Sequence, residues 1–138
     1  MILAAGKGTR MNNPDIAKVQ YEMHGKPMAE YVVEVAARLQ ADRTLIVAGW
    51  QKDSIIGYFS NVQPGVEFVE QPQQLGTGHA VQQTQSALEG FEGDLLVLSG
   101  DVPLLTEKTV RALIGYHRTT EAVATILTAE LEDPAGYG

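Results

Sequence analysis

The stretch Ile2-Leu3-Ala4-Ala5-Gly6-Lys7-Gly8-Thr9-Arg10-Met11 decides the fold, because it joins a short apolar run to a loop rich in glycine and positive charge. The apolar residues at its start are typical of the end of a buried strand. The two glycines let the backbone approach a ligand and turn its N–H groups inward as an anion-binding concavity. The stretch is neither a P-loop nor a Gly-x-Gly-x-x-Gly fingerprint, because no Gly-Lys-Ser/Thr closes it and Met11 stands at the third glycine position. Taken alone, it leaves a phosphate site and a plain surface loop as alternatives.

Short apolar runs alternate with helix-period segments along the rest of the chain. The predicted strands are 2–5, 44–48, 66–69, 94–98 and 122–127, and the predicted helices are 27–39, 53–59, 77–88 and one that Thr106 caps. Strands separated by helices need crossover connections, so we predict an α/β fold with a Rossmann-like, mainly parallel sheet and helices on both faces. Ligands of such sheets bind outside the carboxyl ends of the strands, which here are followed by segments 5–10, 49–52, 70–78 and 99–103.

Composition excludes several classes of function. The 138 residues carry ten Lys and Arg against 17 Asp and Glu, a formal charge of −7, so binding to nucleic acid or to an anionic membrane is not expected. The absence of cysteine excludes disulfides, thiolate nucleophiles and Cys-ligated zinc. No apolar run approaches the roughly 18 residues of a membrane helix, and no signal segment is recognisable, so we expect a cytoplasmic protein.

Three segments after predicted strands or loops hold candidate binding residues. Lys18 lies between apolar neighbours, where it is either a phosphate-binding point charge or a solvated lysine; Lys26 presents the same choice. Gln71 offers a donor and an acceptor, as reading the edge of a pyrimidine base requires. The run Gly76-Thr77-Gly78 opens the predicted helix with free N–H donors, the alternative being that Thr77 is a simple N-cap. We interpret His79, in the first turn of that helix, as structural.

Asp101 follows the most apolar predicted strand in the segment Ser99-Gly100-Asp101-Val102-Pro103. A carboxylate at the carboxyl end of a buried strand must be hydrogen-bonded or bound to a cation, and Mg²⁺ commonly takes one or two carboxylates plus substrate phosphates. We therefore favour a metal ligand over an aspartate that caps the following turn.

The chain stops after a turn at 133–138, which predicts that it is part of a longer protein.

Together these motifs resemble the nucleotidyltransferase domain of the bacterial N-acetylglucosamine-1-phosphate uridylyltransferases, within the sugar-nucleotide pyrophosphorylase superfamily. The resemblance is carried by residues 3–11, Lys18, 25–28, 70–80, 100–105 and 133–138. Two departures stand inside the matched part. The stretch Ala17-Lys18-Val19-Gln20-Tyr21-Glu22-Met23-His24 replaces the usual Pro-Lys-Val-Leu opening and its apolar continuation, and Ser99 stands where Tyr or Asn is common.

The resemblance implies a role for each matched residue. Arg10 and Lys18 would be catalytic and steady the phosphates, and Asp101 would hold Mg²⁺. Ser99, Gly100 and Gly136 would contact the sugar. The nucleotide would lie against Leu3, Ala4, Ala5, Gly6, Gly8, Lys18, Gln71, Gly76 and Thr77.

The implied reaction converts UTP and N-acetylglucosamine 1-phosphate into UDP-N-acetylglucosamine and pyrophosphate, a step of cell-wall peptidoglycan synthesis. The alternatives are a pyrophosphorylase for another sugar 1-phosphate and a noncatalytic nucleotide-binding module. The resemblance also implies that residues 1–138 are the N-terminal part of the nucleotidyltransferase domain. Any C-terminal domain, and a homo-oligomer formed through it, would lie outside this sequence.

Overall fold

The computed structural model describes residues 1–8 and 15–132, and the chain divides into two compact units, residues 1–105 and residues 106–138. In the described ranges, no helix is long and apolar enough to span a bilayer.

The first unit alternates strands and helices as the sequence predicts. After strand β1 (Ile2–Ala4) come a 3-10 turn (Lys18–Gln20) and a small antiparallel hairpin of β2 (Glu22–Met23) and β3 (Lys26–Pro27). The remaining elements are α1 (Met28–Arg38), β4 (Leu45–Ala48), α2 (Lys52–Val62), β5 (Glu67–Glu70), α3 (Thr77–Gln82) and β6 (Leu98–Ser99).

Four strands form one parallel sheet in the order β5-β4-β1-β6. Ile2 pairs with Ile46 on one side of β1 and with Leu98 on the other. The chain therefore builds outward from β1 through β4 to β5 and then returns to the opposite side of β1. Such a reversal is the topological switch point where α/β sheets bind ligands, and the predicted fold class is confirmed.

Burial shows that the centre of the sheet is covered on both faces. All four residues of β4 are buried although successive side chains point to opposite faces. On one of these faces Val47 packs in a cluster with Met1, Ala5 and Ala80, and Leu88 lies against it. Because Ala80 belongs to α3, this helix covers the face that carries the side chain of Ala5.

The edge of the sheet differs from the prediction. The strand expected at 94–98 is confined to Leu98 and Ser99, and Leu95 and Val97 are 43% and 41% exposed. In the described part of the chain β6 is the last strand and has a neighbour on one side only, so an apolar sequence there is not enclosed. The helix expected at 77–88 ends at Gln82 and continues as turns, where the Thr84 hydroxyl donates to the Val81 carbonyl at 2.7 Å.

The second unit contains helix α4 (Glu107–Thr119), which Thr106 caps as predicted. The Thr106 hydroxyl oxygen accepts from the backbone N–H of Thr109 at 3.2 Å, which satisfies one of the donors left free in the first turn. The strand predicted at 122–127 is wrong: these residues form no ladder with any described strand, and Val123 is fully exposed. An apolar segment favours a strand, but a strand forms only where a partner supplies hydrogen bonds.

A hydrogen bond between α1 and α2 provides a test of the packing in the first unit. The Tyr58 hydroxyl donates to the Glu30 carboxylate, which raises the pKa of Tyr58 to about 12 because deprotonation would break this bond and place two negative charges together. We expect Tyr58→Phe to lower the free energy of unfolding by about 1 kcal/mol at neutral pH, as measured by denaturant unfolding.

The pH dependence of that difference follows from the sign of the shift. The folded pKa of Tyr58 lies above its ordinary value of 10.0, so the stabilisation is full below pH 10 and is lost as pH rises towards about 12. Tyr116→Phe, at an exposed tyrosine of α4, is the control and should leave stability unchanged. If the difference in the free energy of unfolding between wild type and Tyr58→Phe stays constant between pH 10 and about 12, the hydrogen bond from Tyr58 to Glu30 is not the cause of that difference.

Candidate functional site

A cavity of about 450 Å³ opens at the carboxyl edge of the sheet, beside the switch point at β1. It is formed by the ends of β1, β5 and β6, by the segments that follow them and by the start of α3. Its lining consists of Leu3, Ala5, Gly6, Lys7, Gly8, Lys18, Val19, Gln71, Gln74, Gly76, Thr77, Ala80, Ser99 and Asp101. The predicted nucleotide, phosphate and metal segments therefore meet around one space.

The loop after β1 approaches Lys18 so closely that only glycine fits at position 8. Gly8 has a positive φ of 60°, and a Cβ added there would lie 2.7 Å from the Cβ of Lys18. Gly6 differs, because an added Cβ would meet no atom within 4 Å. The glycine at position 8 thus allows Lys18 to pack against the loop. The glycine at position 6 leaves open space beside its backbone.

Lys18 and Asp101 are 83 positions apart and form an ion pair in the cavity, with 2.6 Å between Lys18 Nζ and Asp101 Oδ2. The sequence predicts them separately, as a phosphate-binding cation and as a metal ligand. Their side chains remain 41% and 33% exposed, so a ligand can reach both charges. A pair this exposed stabilises a fold by only about 0–1 kcal/mol, so its position in the cavity matters more than its contribution to stability.

Asp101 fits a magnesium site of one particular kind. Its Oδ1 has no hydrogen-bond partner among the described residues, and it lines the cavity. Over residues 1–8 and 15–132 there is no cluster of three acidic or histidine side chains that would form an all-protein metal cage. One carboxylate with a free oxygen suits Mg²⁺ held jointly with substrate phosphates.

Gln71 lines the cavity and is only 3% exposed. Its Nε2 donates to the carbonyl oxygen of Gly76 at 3.1 Å and lies 2.9 Å from Nδ1 of His79. Gln74 supports the same loop, because its Nε2 donates to the Gln71 backbone carbonyl at 3.1 Å. The sequence analysis gives Gln74 no role of its own, since no local pattern shows that its amide would close this turn.

Lys7 is a second cation that the sequence places in the loop without assigning it to the site. Its Nζ lies 4.9 Å from the ring centroid of Trp50, the single tryptophan of the chain, in a cation–π contact. Its position between the two glycines of the loop is the sequence feature that indicates a place for Lys7 in the site. Its partner ring is 43 positions away and could not be identified from spacing.

Some predicted site residues lie elsewhere. Ala4 is buried and does not line the cavity, because alternate residues of β1 point to opposite faces. Gly100 is also outside the lining: an added Cβ would lie 2.9 Å from the Leu3 carbonyl oxygen, so close packing against β1 requires this glycine. Arg10 and Gly136 lie outside the described residues.

Lys26 is likewise separate from the cavity. Its Nζ contacts Oε1 of Glu34 at 2.5 Å and lies 4.4 Å from the ring centroid of Tyr31. The hydrogen bond with Glu34 raises the pKa of Lys26. The two lysines that the sequence leaves with the same alternatives thus have different surroundings, since only Lys18 lines the cavity.

The chain resembles curated proteins named bifunctional protein GlmU. The relative from Acaryochloris marina is 47% identical over 137 residues, which are 99% of this chain and 30% of the relative. The relative from a Synechococcus species is 50% identical over the same shares. The chain therefore spans about 30% of the length of the curated relatives it matches.

Solved structures share the fold. A UDP-glucose pyrophosphorylase complexed with UDP-glucose has a TM-score of 0.66 and 27% identity, covering 84% of this chain and 52% of that one. A nucleotidyl transferase from Methanothermobacter thermautotroptrophicus has a TM-score of 0.69 over 83% of this chain and 55% of that one; at 20% identity it supports the fold alone. A family model described as the MobA-like NTP transferase domain matches residues 1–136, and the chain belongs to this family.

Proposed function

We propose that the protein containing this chain transfers a uridylyl group from UTP to N-acetylglucosamine 1-phosphate, releasing pyrophosphate. The observation that carries the proposal is the single cavity in which the loop after β1, Lys18, Gln71 and Asp101 meet. The GlmU relatives and the resemblance of residues 70–80 and 100–105 support the choice of UTP and of this sugar.

Different lining residues of the cavity suit the base and the phosphates. Gln71, Gly76 and Thr77 would surround the uracil, and the backbone of Leu3, Ala5, Gly6 and Gly8 would run along the nucleotide. Lys7 and Lys18 supply positive charge in the same space, which an acidic chain needs at the point where two phosphorylated substrates meet. Arg10 is proposed to join them from outside the described residues.

The reaction needs no protein nucleophile. An oxygen of the ionised sugar phosphate attacks the α-phosphorus of UTP in line, a new oxygen–phosphorus bond forms, and the bond to the β-phosphate oxygen breaks to release pyrophosphate. No proton has to be removed from the attacking group. Lys18 and Arg10 would hold the phosphates in position and offset the charge on the α-phosphate, which are the two contributions that such transfers require.

Asp101 would hold Mg²⁺ through its carboxylate, together with substrate phosphates. The ion would neutralise phosphate charge and orient the reacting groups. Asp101 Oδ2 is engaged by Lys18, so we propose that Lys18 turns from the carboxylate to the phosphates when the substrates bind. Ser99, which lines the cavity, is proposed to contact the sugar with Gly136. We further propose a cytoplasmic location and a role in cell-wall synthesis, because the product is an activated sugar.

A second sugar is supported by one comparison. The solved UDP-glucose pyrophosphorylase complexed with UDP-glucose shares the fold at 27% identity, so glucose 1-phosphate is the second candidate acceptor. Ser99 is the residue of the cavity at which this sequence departs from the uridylyltransferase pattern.

The proposal predicts a specific pattern of substrate use. With the full-length protein and Mg²⁺, pyrophosphate release should be fastest from UTP with N-acetylglucosamine 1-phosphate, compared with glucose 1-phosphate and with CTP or dTTP. A preference for glucose 1-phosphate would replace the proposed sugar. UTP binding without pyrophosphate release from any sugar phosphate would identify a noncatalytic nucleotide-binding module.

Removal of the Lys18 charge tests the proposed phosphate site. We expect Lys18→Gln to reduce kcat by roughly 10²–10³, because one preformed charged contact to the reacting phosphates is lost. The free energy of unfolding should change little, since the ion pair with Asp101 is exposed. Lys26→Gln is the matched control, because it also removes a lysine from an ion pair but outside the cavity. Equal turnover of the two variants would refute the role of Lys18.

Replacement of Asp101 tests the proposed metal ligand. We expect Asp101→Asn to lower turnover by roughly 10²–10³ at a fixed Mg²⁺ concentration and to shift the Mg²⁺ titration of the rate to higher concentration. Asp42→Asn, at an exposed aspartate outside the cavity, controls for the change in net charge. An unchanged Mg²⁺ titration in the Asp101 variant would show that this carboxylate does not hold the metal.

A further inference from the structure

The side-chain amide of Gln71 is held in one orientation, and the atom that fixes it is a backbone carbonyl. Its nitrogen lies 3.1 Å from the Gly76 carbonyl oxygen, which can only accept a hydrogen bond. Turning the amide over would bring two oxygens together at this point. The second hydrogen of the same nitrogen is directed to Nδ1 of His79 at 2.9 Å.

This contact determines the protonation of the His79 ring. Because Gln71 donates, Nδ1 must carry the lone pair, and the ring proton of the neutral imidazole must lie on Nε2. Nε2 of His79 lies 3.1 Å from Nε2 of Gln83. Two N–H groups cannot bond to each other, and the oxygen and nitrogen of a side-chain amide are assigned from the hydrogen-bond network, so this pattern requires that the Gln83 amide be turned over to present its oxygen to Nε2–H. Gln83, His79 and Gln71 form one directional chain of hydrogen bonds that ends at the cavity.

The other end of the Gln71 amide is an unused acceptor. Oε1 accepts no hydrogen bond from any described residue, and no side-chain nitrogen or oxygen in the described ranges is both fully buried and without a partner. Since Gln71 lines the cavity, Oε1 opens onto it. The Gln71 amide thus presents an acceptor oxygen to the cavity and no donor.

We infer that His79 is a positioning residue that selects the base, because it holds Gln71 with Oε1 towards the N3–H of a uracil ring. The inference rests on the proposed function. Cytosine carries a lone pair at ring nitrogen N3. A cytosine bound in the same position would therefore place N3 and Gln71 Oε1, two acceptors, against each other. A site that has committed a buried polar atom to a substrate N–H discriminates strongly against an analogue that lacks it.

Loss of His79 would free the amide. With Nδ1 gone, one hydrogen of Gln71 Nε2 has no protein partner, and the gain from turning that nitrogen towards the cavity competes with the single bond to Gly76. The site would then bind either uracil, which donates at N3, or cytosine, which accepts at N3. A merely structural histidine would lower stability or overall activity but would leave the relative use of two pyrimidine nucleotides unchanged.

The test compares UTP with CTP in the full-length protein. We expect His79→Leu to reduce the ratio of kcat/KM for UTP to that for CTP by about tenfold. His79→Asn should restore most of the ratio, because its amide oxygen stands at the position of Nδ1 along the side chain. Gln83→Ala should shift the ratio in the same direction as His79→Leu but by less. Gln82→Ala, on the exposed side of α3, should not shift it.

The outcomes separate this inference from the proposed function. If wild-type protein neither binds UTP nor uses it, the proposed function fails. If the wild type uses UTP and CTP equally, or if His79→Leu keeps the wild-type ratio, only the inference is overturned. Nucleotide binding can be followed through the fluorescence of Trp50, whose ring contacts the cavity residue Lys7.

The tautomer provides a readout that does not depend on activity. Nitrogen NMR of the histidine rings, with His79 assigned from the spectrum of His79→Leu, should show a protonated Nε2 and an unprotonated Nδ1. The opposite tautomer at neutral pH would overturn the inference, because Gln71 could not then donate to the ring.

Discussion

The parallel pairing of β1 with β4 on one side and β6 on the other is the constraint on which the site depends. It brings the carboxyl ends of β1 and β6 to one edge, so that the loop at 5–8 and Asp101 lie around the same space. The fit is tight at Gly100, where a Cβ would lie 2.9 Å from the Leu3 carbonyl oxygen. The glycine next to the proposed metal ligand is therefore needed for strand packing, and this explains its place without any ligand.

The cavity carries positive charge in a chain whose formal charge is −7. Among the described residues that line it, the charged ones are Lys7, Lys18 and Asp101, and Lys18 is paired with Asp101. The pair holds each charge where it would act on phosphates while leaving both within reach of solvent. An exposed ion pair is weak enough to be exchanged for substrate contacts, which a buried pair would resist.

Much of the site could be predicted because its residues occur in short contiguous motifs. The loop after β1, Gln71, the run Gly76-Thr77 and Asp101 each follow a strand, and strand ends meet at one edge of a parallel sheet. The assignments that failed depend on neighbours that a local pattern does not contain. The sequence predicts strands at 94–98 and at 122–127, but a strand forms only where a neighbouring strand supplies hydrogen bonds and other elements cover its side chains.

The sequence alone determined the alternation of β1, β4, β5 and β6 with α1, α2 and α3, the glycines and charged residues of the loops and the exclusion of thiol chemistry, because these follow from local periodicity and composition. Only the tertiary structure decided that Lys18 contacts Asp101, that Lys26 contacts Glu34 outside the cavity, and that the Gln71 amide nitrogen lies between Gly76 and His79. The physical reason is that hydrogen bonds and ion pairs depend on distances of about 3 Å between side chains. Such distances are set by how strands and helices pack, and not by the separation of residues along the chain.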